Sequence, residues 1–226
     1  MHTSNNLPLI AISSVVDGSM SAGVSSDKKL SNRVSFLKRS NITAGQTVLV
    51  HLQYESDDYM RYFSVTSDFA GDGIITPPSI TADALFTTEK NLALLLPVAD
   101  CIGAVLHDPV RSVLGLAHLG RHNLIQEGGT GIIAYMAETF GSSAGDITVY
   151  LSPAAGRERY PLYDFNNRSL HEVAMEQIQS GGVLPRNIFV DPRDTTKDKT
   201  LFSHSEFLRG NRSSDGRQAI VTMMLP

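Results

Sequence analysis

Short apolar runs separated by turn residues form the strongest pattern in the chain. Four of them follow one another in the middle of the sequence, at 85–88, 92–98, 103–106 and 112–118. Asp108 and Pro109 mark the turn between the last two runs. Apolar runs of this length, bounded by turn residues, are typical of buried strands. The middle of the chain therefore predicts the centre of a sheet.

Weaker runs extend the sheet prediction toward both ends of the chain. Further strands are predicted at 9–16, 47–53, 147–151, 187–190 and 218–225. Ser, Gly and Asp are frequent in 17–29, and Ser, Asp, Gly and Pro accumulate in 55–81, so both stretches are predicted to be loops. Long loops often carry functional residues.

Two segments place apolar residues at helical spacing. In 124–140 they include Ile132 and Met136, four positions apart, and Gly141 follows as a stop signal. A second helix is predicted at 168–179. The chain thus mixes strands with fewer helices.

Length and composition favour one globular domain. The chain has 226 residues, of which 42% are hydrophobic and 19% charged, and this balance is ordinary for a folded protein. No internal repeat or break in composition marks a second domain. We therefore predict a single mixed α/β domain that covers residues 1–226.

The charge distribution favours a small-molecule ligand. The formal net charge is −4, and acidic and basic residues are interspersed, so no surface for nucleic acid or an anionic membrane is predicted. The longest apolar runs, 7–12 and 92–99, are far shorter than the roughly 20 residues of a membrane-spanning helix. No signal peptide is recognised at the amino terminus. We expect a cytoplasmic protein, and no pattern predicts its oligomeric state.

Three residues carry the candidate chemistry. Cys101, the only cysteine, lies between two of the central predicted strands, so no disulfide within the chain is possible. His118 ends the strand that follows, and His51 lies on the strand predicted at 47–53. Each has a structural alternative, because a free cysteine often packs as a small apolar residue and a buried histidine often bonds to backbone.

Taken together, the three side chains fit a catalytic metal site. Two histidines and one thiolate leave a fourth position open, which is the arrangement of catalytic zinc. Such a set holds at most one copper ion, so copper is the less favoured metal. Asp100 would orient a ligand or accept a proton there, or alternatively cap neighbouring backbone. A metal-free hydrolase, in which His118 lowers the pKa of Cys101 and the thiolate attacks an amide, is the competing interpretation.

Several short motifs, taken in order, resemble the laccase-domain family, also called the multicopper polyphenol oxidase or YfiH-like family. They are Ala99-Asp100-Cys101, Ala117-His118-Leu119-Gly120, Ser152-Pro153-Ala154-Ala155-Gly156 with Tyr160, Phe202-Ser203 and Gly216-Arg217. The resemblance runs from about His51 to the carboxyl terminus. It implies an α/β/β/α layered sandwich and a zinc-dependent purine nucleoside phosphorylase with adenosine deaminase activity, whose metal ligands are His51, Cys101 and His118.

The chain departs from the family pattern where an anion is expected to bind. The family sequence His-Ala-Gly-Trp-Arg-Gly corresponds to the run from His118 to Asn123, in which Arg121 and His122 replace the Trp and Arg. Arg121, Arg209 or Arg217 would have to supply the missing charge. The residues expected to bind the substrate are Arg121, His122 and Arg217. We therefore expect phosphorolysis to be more impaired than deamination. A further alternative is that the chain is a degenerate domain of the same fold that binds a ligand without catalysis.

Overall fold

A computed structural model describes residues 7–21 and 27–226. Its strands are β1 Leu9–Ile12, β2 Thr47–Leu49, β3 Tyr62–Ser64, β4 Ala84–Thr87, β5 Ala93–Val98, β6 Ile102–Asp108, β7 Val113–Leu119, β8 Thr148–Leu151, β9 Ile188–Val190 and β10 Gln218–Met223. Its helices are α1 Asp27–Arg39, α2 Arg121–Ile125, α3 Gly128–Phe140, α4 Leu170–Ser180 and α5 His204–Leu208.

The strands form two mixed sheets. The smaller sheet has the order β1-β10-β5-β2, and the larger has the order β3-β4-β7-β6-β8-β9. Strands β2 and β5 run parallel, so their carboxyl ends meet at one edge of the smaller sheet. Strands β6 and β7 form the longest antiparallel pair of the larger sheet. The chain passes directly from one sheet to the other between β5 and β6.

Three apolar clusters define a four-layer arrangement. Between the sheets, Leu94, Leu96 and Ile220 of the smaller sheet pack with Val105 and Leu116 of the larger one. The outer face of the larger sheet is covered by α3 and α4, and the outer face of the smaller sheet by α1. The predicted α/β/β/α single-domain sandwich is confirmed.

The two sheets approach each other closely near the β5–β6 crossing. A Cβ on Gly103 of β6 would lie 2.8 Å from the Cδ1 atom of Ile220 on β10. A side chain at position 103 would therefore force the Ile220 side chain to move. Glycine is needed here for the close approach.

Some element boundaries differ from the sequence prediction. The helix predicted at 124–140 is interrupted, because Glu127 adopts φ 61° between α2 and α3. The strand predicted at 47–53 ends at Leu49. Helix α1 begins inside the stretch 17–29 that was predicted to be a loop, and residues 22–26 of that stretch lie outside the described residues.

None of the helices in residues 7–21 and 27–226 combines the length and apolar composition that crossing a membrane requires.

The aromatic ring of Phe86 and the backbone of Gly115 provide a test of packing in the larger sheet. The two residues face each other across β4 and β7, and a Cβ on Gly115 would lie 2.5 Å from the Phe86 ring. We expect Gly115→Ala to lower the free energy of unfolding by about 1–3 kcal/mol, because the buried ring has to move.

Gly145→Ala is the matched control, since a Cβ there would meet only the Ser143 hydroxyl at 3.9 Å. Its free energy of unfolding should stay within about 0.5 kcal/mol of the wild type. Urea denaturation measures both. Equal stability of the two variants would contradict this account of the packing.

Candidate active site

Cys101 lies in the short segment that carries the chain from one sheet to the other. This segment turns sharply because Asp100 adopts φ 74°, in the left-handed region that residues other than glycine rarely occupy. In the antiparallel register of β6 and β7, Gly103 pairs with His118 and Ile102 with Leu119. Extending this register by one residue places Cys101 opposite Gly120.

Gly120 leaves an open space between Cys101 and His118. A Cβ at this position would lie 2.9 Å from the Cys101 Sγ atom, 2.9 Å from the His118 Cε1 atom and 3.1 Å from its Nε2 atom. The thiol and the imidazole therefore border the same small volume. The missing side chain of Gly120 creates a cradle into which both point.

The buried surroundings keep both groups uncharged. Burial lowers the pKa of His118 from 6.5 to about 4, although the nearby Asp83 carboxylate opposes the shift. Burial, with a contribution from Asp100, raises the pKa of Cys101 to about 12. Neither ring nitrogen of His118 has a hydrogen-bond partner among the described residues. A neutral imidazole with unused nitrogens is the form in which histidine binds metals.

His51 lies two residues beyond the end of β2 rather than on a strand, which corrects the sequence prediction. Its carbonyl oxygen accepts a hydrogen bond from the Ala82 amide at 2.9 Å. The next residue along, Asp83, accepts a bond from the His118 amide at 2.8 Å. The backbones of His51 and His118 are thus joined through a two-residue segment. The Nδ1 atom of His51 is buried and has no hydrogen-bond partner in the described part of the chain.

A buried ion pair between Asp83 and Arg61 fixes residues 82 and 83, which join the backbone of His51 to that of His118. The Asp83 side chain is 2% exposed, and its Oδ2 atom accepts a bond from the Arg61 Nε atom at 2.7 Å. The Arg61 guanidinium also donates to the Gln53 carbonyl at 2.9 Å. Asn123 donates to the Tyr59 carbonyl at 2.8 Å and accepts a bond from a backbone amide of the cradle at 3.1 Å. These bonds hold the loop from 51 to 61 against the cradle.

A cavity of about 370 Å³ opens over the cradle. Six of the seven residues predicted for the site line it: Asp100, Cys101, His118, Arg121, His122 and Arg217. His51 is not among the lining residues. The Arg121 side chain makes no hydrogen bond or ion pair with any residue that the structure describes, so its positive charge is available to a ligand.

Asp100 uses both carboxylate oxygens for contacts within the protein. Oδ1 accepts a bond from the Thr195 hydroxyl at 2.8 Å, and Oδ2 accepts one from the Ser205 amide at 2.7 Å. Asp100 therefore joins the segment that carries Cys101 to helix α5.

Four residues that the sequence analysis did not single out also border the cavity. Tyr54 contacts the His118 ring edge to face at 6.1 Å, and the Tyr59 ring stacks on His122 at 4.8 Å. His204 and Leu208 project from α5. Tyr54 follows His51 by only three positions, and His204 adjoins the Phe202-Ser203 motif. Their closeness in sequence to these residues is the one signal that could have identified them as part of the cavity.

The donor atoms fit a metal ion in kind. The thiol of Cys101 and the unpartnered nitrogens of His118 and His51 are the soft and borderline donors that zinc and copper prefer. Among residues 7–21 and 27–226, no group of three or more His, Cys, Asp or Glu side chains is gathered closely enough to hold an ion. Cys101 and His118 border the cradle. His51 is linked to His118 only by backbone hydrogen bonds through residues 82 and 83.

Solved structures resemble this chain over most of its length. A hypothetical protein YfiH from Bacillus licheniformis superimposes with a TM-score of 0.79 at 21% identity, covering 91% of this chain and 85% of that protein. YlmD from Geobacillus stearothermophilus superimposes with a TM-score of 0.78 at the same identity, covering 92% and 85% of the two chains. These similarities establish the fold.

Sequence comparison identifies relatives as well. The chain is 33% identical over 82 residues to the purine nucleoside phosphorylase YlmD of Bacillus subtilis, covering 36% of this chain and 30% of the relative. It is 30% identical over 142 residues to the human purine nucleoside phosphorylase LACC1, covering 53% and 31%. The matches thus span about a third of these relatives. The model of the multi-copper polyphenol oxidoreductase laccase family matches residues 19–170, more than half of the chain, and the protein belongs to this family.

Proposed function

We propose that this protein is a zinc-dependent purine nucleoside phosphorylase that also deaminates adenosine, with His51, Cys101 and His118 as the metal ligands. The observation that carries the proposal is the cradle at Gly120, where a thiol and an imidazole with unused nitrogens border one cavity. The names of the relatives from Bacillus subtilis and human supply the substrate class.

The cavity offers groups for a nucleoside and for phosphate. The Tyr54 ring and the Tyr59–His122 stack provide flat surfaces on which a purine can pack. Arg121 brings an unpaired positive charge to the same space, where a phosphate dianion can bind, and Arg217 lines that space while it is paired with Asp215. When bound, zinc would supply polarisation of a water or a substrate oxygen. The protein side chains hold and orient the reactants and limit access of water.

The metal-free hydrolase is less well supported. That mechanism requires a thiolate beside a protonated histidine. Burial shifts both pKa values the opposite way, to about 12 for Cys101 and about 4 for His118. A bound cation would reverse this balance, because thiolate ligation releases the thiol proton. The two pKa shifts therefore argue against the metal-free mechanism.

The zinc affinity of variants tests the proposed set of metal ligands. We expect Cys101→Ser to weaken zinc binding by more than about a hundredfold, because a thiolate ligand is lost. Gly120→Ala keeps every donor but places a methyl group 2.9 Å from the Sγ atom, so it should weaken binding by about tenfold or more. Competition with a zinc-binding dye measures both affinities.

Gly145→Ala, at a position with space for the methyl group, is the control and should bind zinc like the wild type. Full zinc retention by Cys101→Ser would remove the thiol from the proposed ligand set.

The pKa of His118 predicts how acid affects the metal-free protein. In the unfolded chain the ring binds a proton near pH 6.5, whereas in the folded protein it does so only near pH 4. The unfolded state therefore binds more protons between these values, and stability falls as the pH is lowered through this window. Between pH 7 and pH 5 the loss from His118 should be roughly 2 kcal/mol.

Urea denaturation in the presence of a chelator measures this loss. His118→Gln removes the titrating group and should show a smaller decrease over the same pH range. His107 and His171, whose pKa values are also lowered by burial, account for the decrease that remains. An identical pH dependence in wild type and His118→Gln would contradict the assignment.

The reaction itself is tested with adenosine and inosine, each with and without phosphate. We expect the zinc-loaded protein to release free base only when phosphate is present and to convert some adenosine to inosine without it. His118→Ala should abolish both reactions, because it removes a proposed metal ligand. Chromatography separates nucleoside, base and deaminated product.

His107→Gln is the matched control, since this histidine lies at the opposite end of β6 from Cys101. It should retain activity. Absence of turnover with every nucleoside would overturn the proposed function and leave a degenerate binding domain as the better interpretation.

A further inference from the structure

Helix α5 places His204 at a defined point of the cavity wall. His204 is the first residue of α5 and lines the cavity. The hydroxyl of Ser203 accepts the Glu206 amide at the start of this helix, at 3.2 Å. The Ser205 amide donates to the Asp100 carboxylate at 2.7 Å. His204 is therefore held in a fixed position relative to Cys101, which follows Asp100.

The ring of His204 is oriented by a carboxylate. Its Nδ1 atom lies 3.1 Å from the Oδ1 atom of Asp215. That oxygen also accepts bonds from the Gly216 amide and the Arg217 guanidinium, each at 2.9 Å. Although burial opposes the shift, the hydrogen bond from His204 and the charge of Arg217 lower the pKa of Asp215. A carboxylate at this distance favours the tautomer of His204 that carries its proton on Nδ1.

This orientation leaves the other ring nitrogen for a ligand. The Nε2 atom of His204 has no partner among the residues that the structure describes. When the ring is protonated, Nδ1–H stays bonded to Asp215 and Nε2–H can be donated. A histidine whose far nitrogen is bonded to a carboxylate is a common arrangement for proton transfer.

Phosphorolysis of a nucleoside requires such a proton donor. As the phosphate oxygen bonds to C1′ of the ribose, the C1′–N9 bond breaks and its electron pair remains on the purine. The purine then leaves as an anion unless it receives a proton. Cys101 and His118 are assigned to the metal, and the arginines of the cavity do not release protons near neutral pH. Histidine is the side chain suited to this transfer.

The cavity contains one other histidine outside the metal set, His122. Its ring stacks on Tyr59 with an angle of 15° between the planes, and it has no carboxylate partner in the described part of the chain. A stacked ring without an orienting partner is suited to contact the base rather than to transfer a proton. The two histidines therefore differ in the contacts that matter for acid catalysis.

We propose that His204 is the general acid that protonates the departing purine, and that Asp215 is the residue that positions it. The proposal rests on the phosphorylase function proposed above. In the step, the Nε2 proton of His204 passes to the purine as the C1′–N9 bond breaks. The attacking hydrogen phosphate loses its proton on forming the ribose phosphate ester, and this proton restores the histidine. Atoms and charges balance without a further reactant.

The experiment compares inosine with 7-methylinosine. The purine of 7-methylinosine already carries a positive charge and leaves as a neutral base, so it needs no proton. We expect His204→Gln to lower kcat for inosine by about 10²-fold or more, and to change kcat for 7-methylinosine by less than about threefold. Asp215→Asn should show the same dependence on leaving group with a smaller loss. Thermal melting checks that each variant folds.

Two comparison variants separate the roles of neighbouring residues. His122→Gln should change both substrates to the same extent, mainly through KM, because it contacts the base. Arg217→Gln removes the other side-chain donor to Asp215 and should likewise affect both substrates equally. An equal loss of kcat for both substrates in His204→Gln, no loss at all, or a leaving-group dependence in His122→Gln instead would overturn the proposal.

The wild type distinguishes this failure from failure of the proposed function. If it releases base from both nucleosides while His204→Gln shows no leaving-group dependence, only the role of His204 is wrong. If the zinc-loaded wild type releases base from neither nucleoside, the phosphorylase function and the role of His204 are both overturned.

Discussion

The buried carboxylate of Asp83 is the constraint on which the geometry of the site most depends. The carboxylate pairs with Arg61. The backbone of Asp83 hydrogen-bonds to that of His118, and the backbone of Ala82 hydrogen-bonds to that of His51, so both proposed histidine ligands are attached to this segment. Leaving one member of a buried ion pair without its partner typically costs roughly 3–5 kcal/mol. The loop from 51 to 61 carries no long strand or helix that would hold it in place. The Arg61–Asp83 ion pair therefore holds the loop in place, whereas apolar packing holds the sheets.

Much of the fold could be predicted because its strands are buried on both faces. The runs that became β5, β6 and β7 are almost continuously apolar, and the structure places them at the centre of the two sheets. Boundaries were less predictable where tertiary contacts override local pattern. Val50 still bonds to the backbone of Leu95, but the loop then turns away, so His51 falls beyond the strand despite its β-branched neighbours. Likewise, the left-handed conformation of Glu127 has no signal in a segment of regular apolar spacing.

The cavity could be predicted only in part from the sequence. Cys101 follows one strongly apolar strand and His118 ends another, so their places in the fold could be predicted from the sequence. The aromatic residues Tyr54 and Tyr59 lie in a polar loop whose path is determined by the Arg61–Asp83 pair, a contact between residues 22 positions apart. Sequence spacing cannot reveal such a contact. The pairing of His204 with Asp215 is also non-local and depends on how helix α5 is attached to Asp100.

The crossing between β5 and β6 connects the site to the interior of the sandwich. Cys101 belongs to the crossing, and the register of β6 against β7 brings it beside His118. Gly103 and Ile220 meet between the two sheets only two residues from the thiol. Interior side chains between the sheets therefore affect the shape of the site as well as the stability of the sandwich. A change in the volume of these side chains would disturb the cavity even where the protein could tolerate the loss of stability.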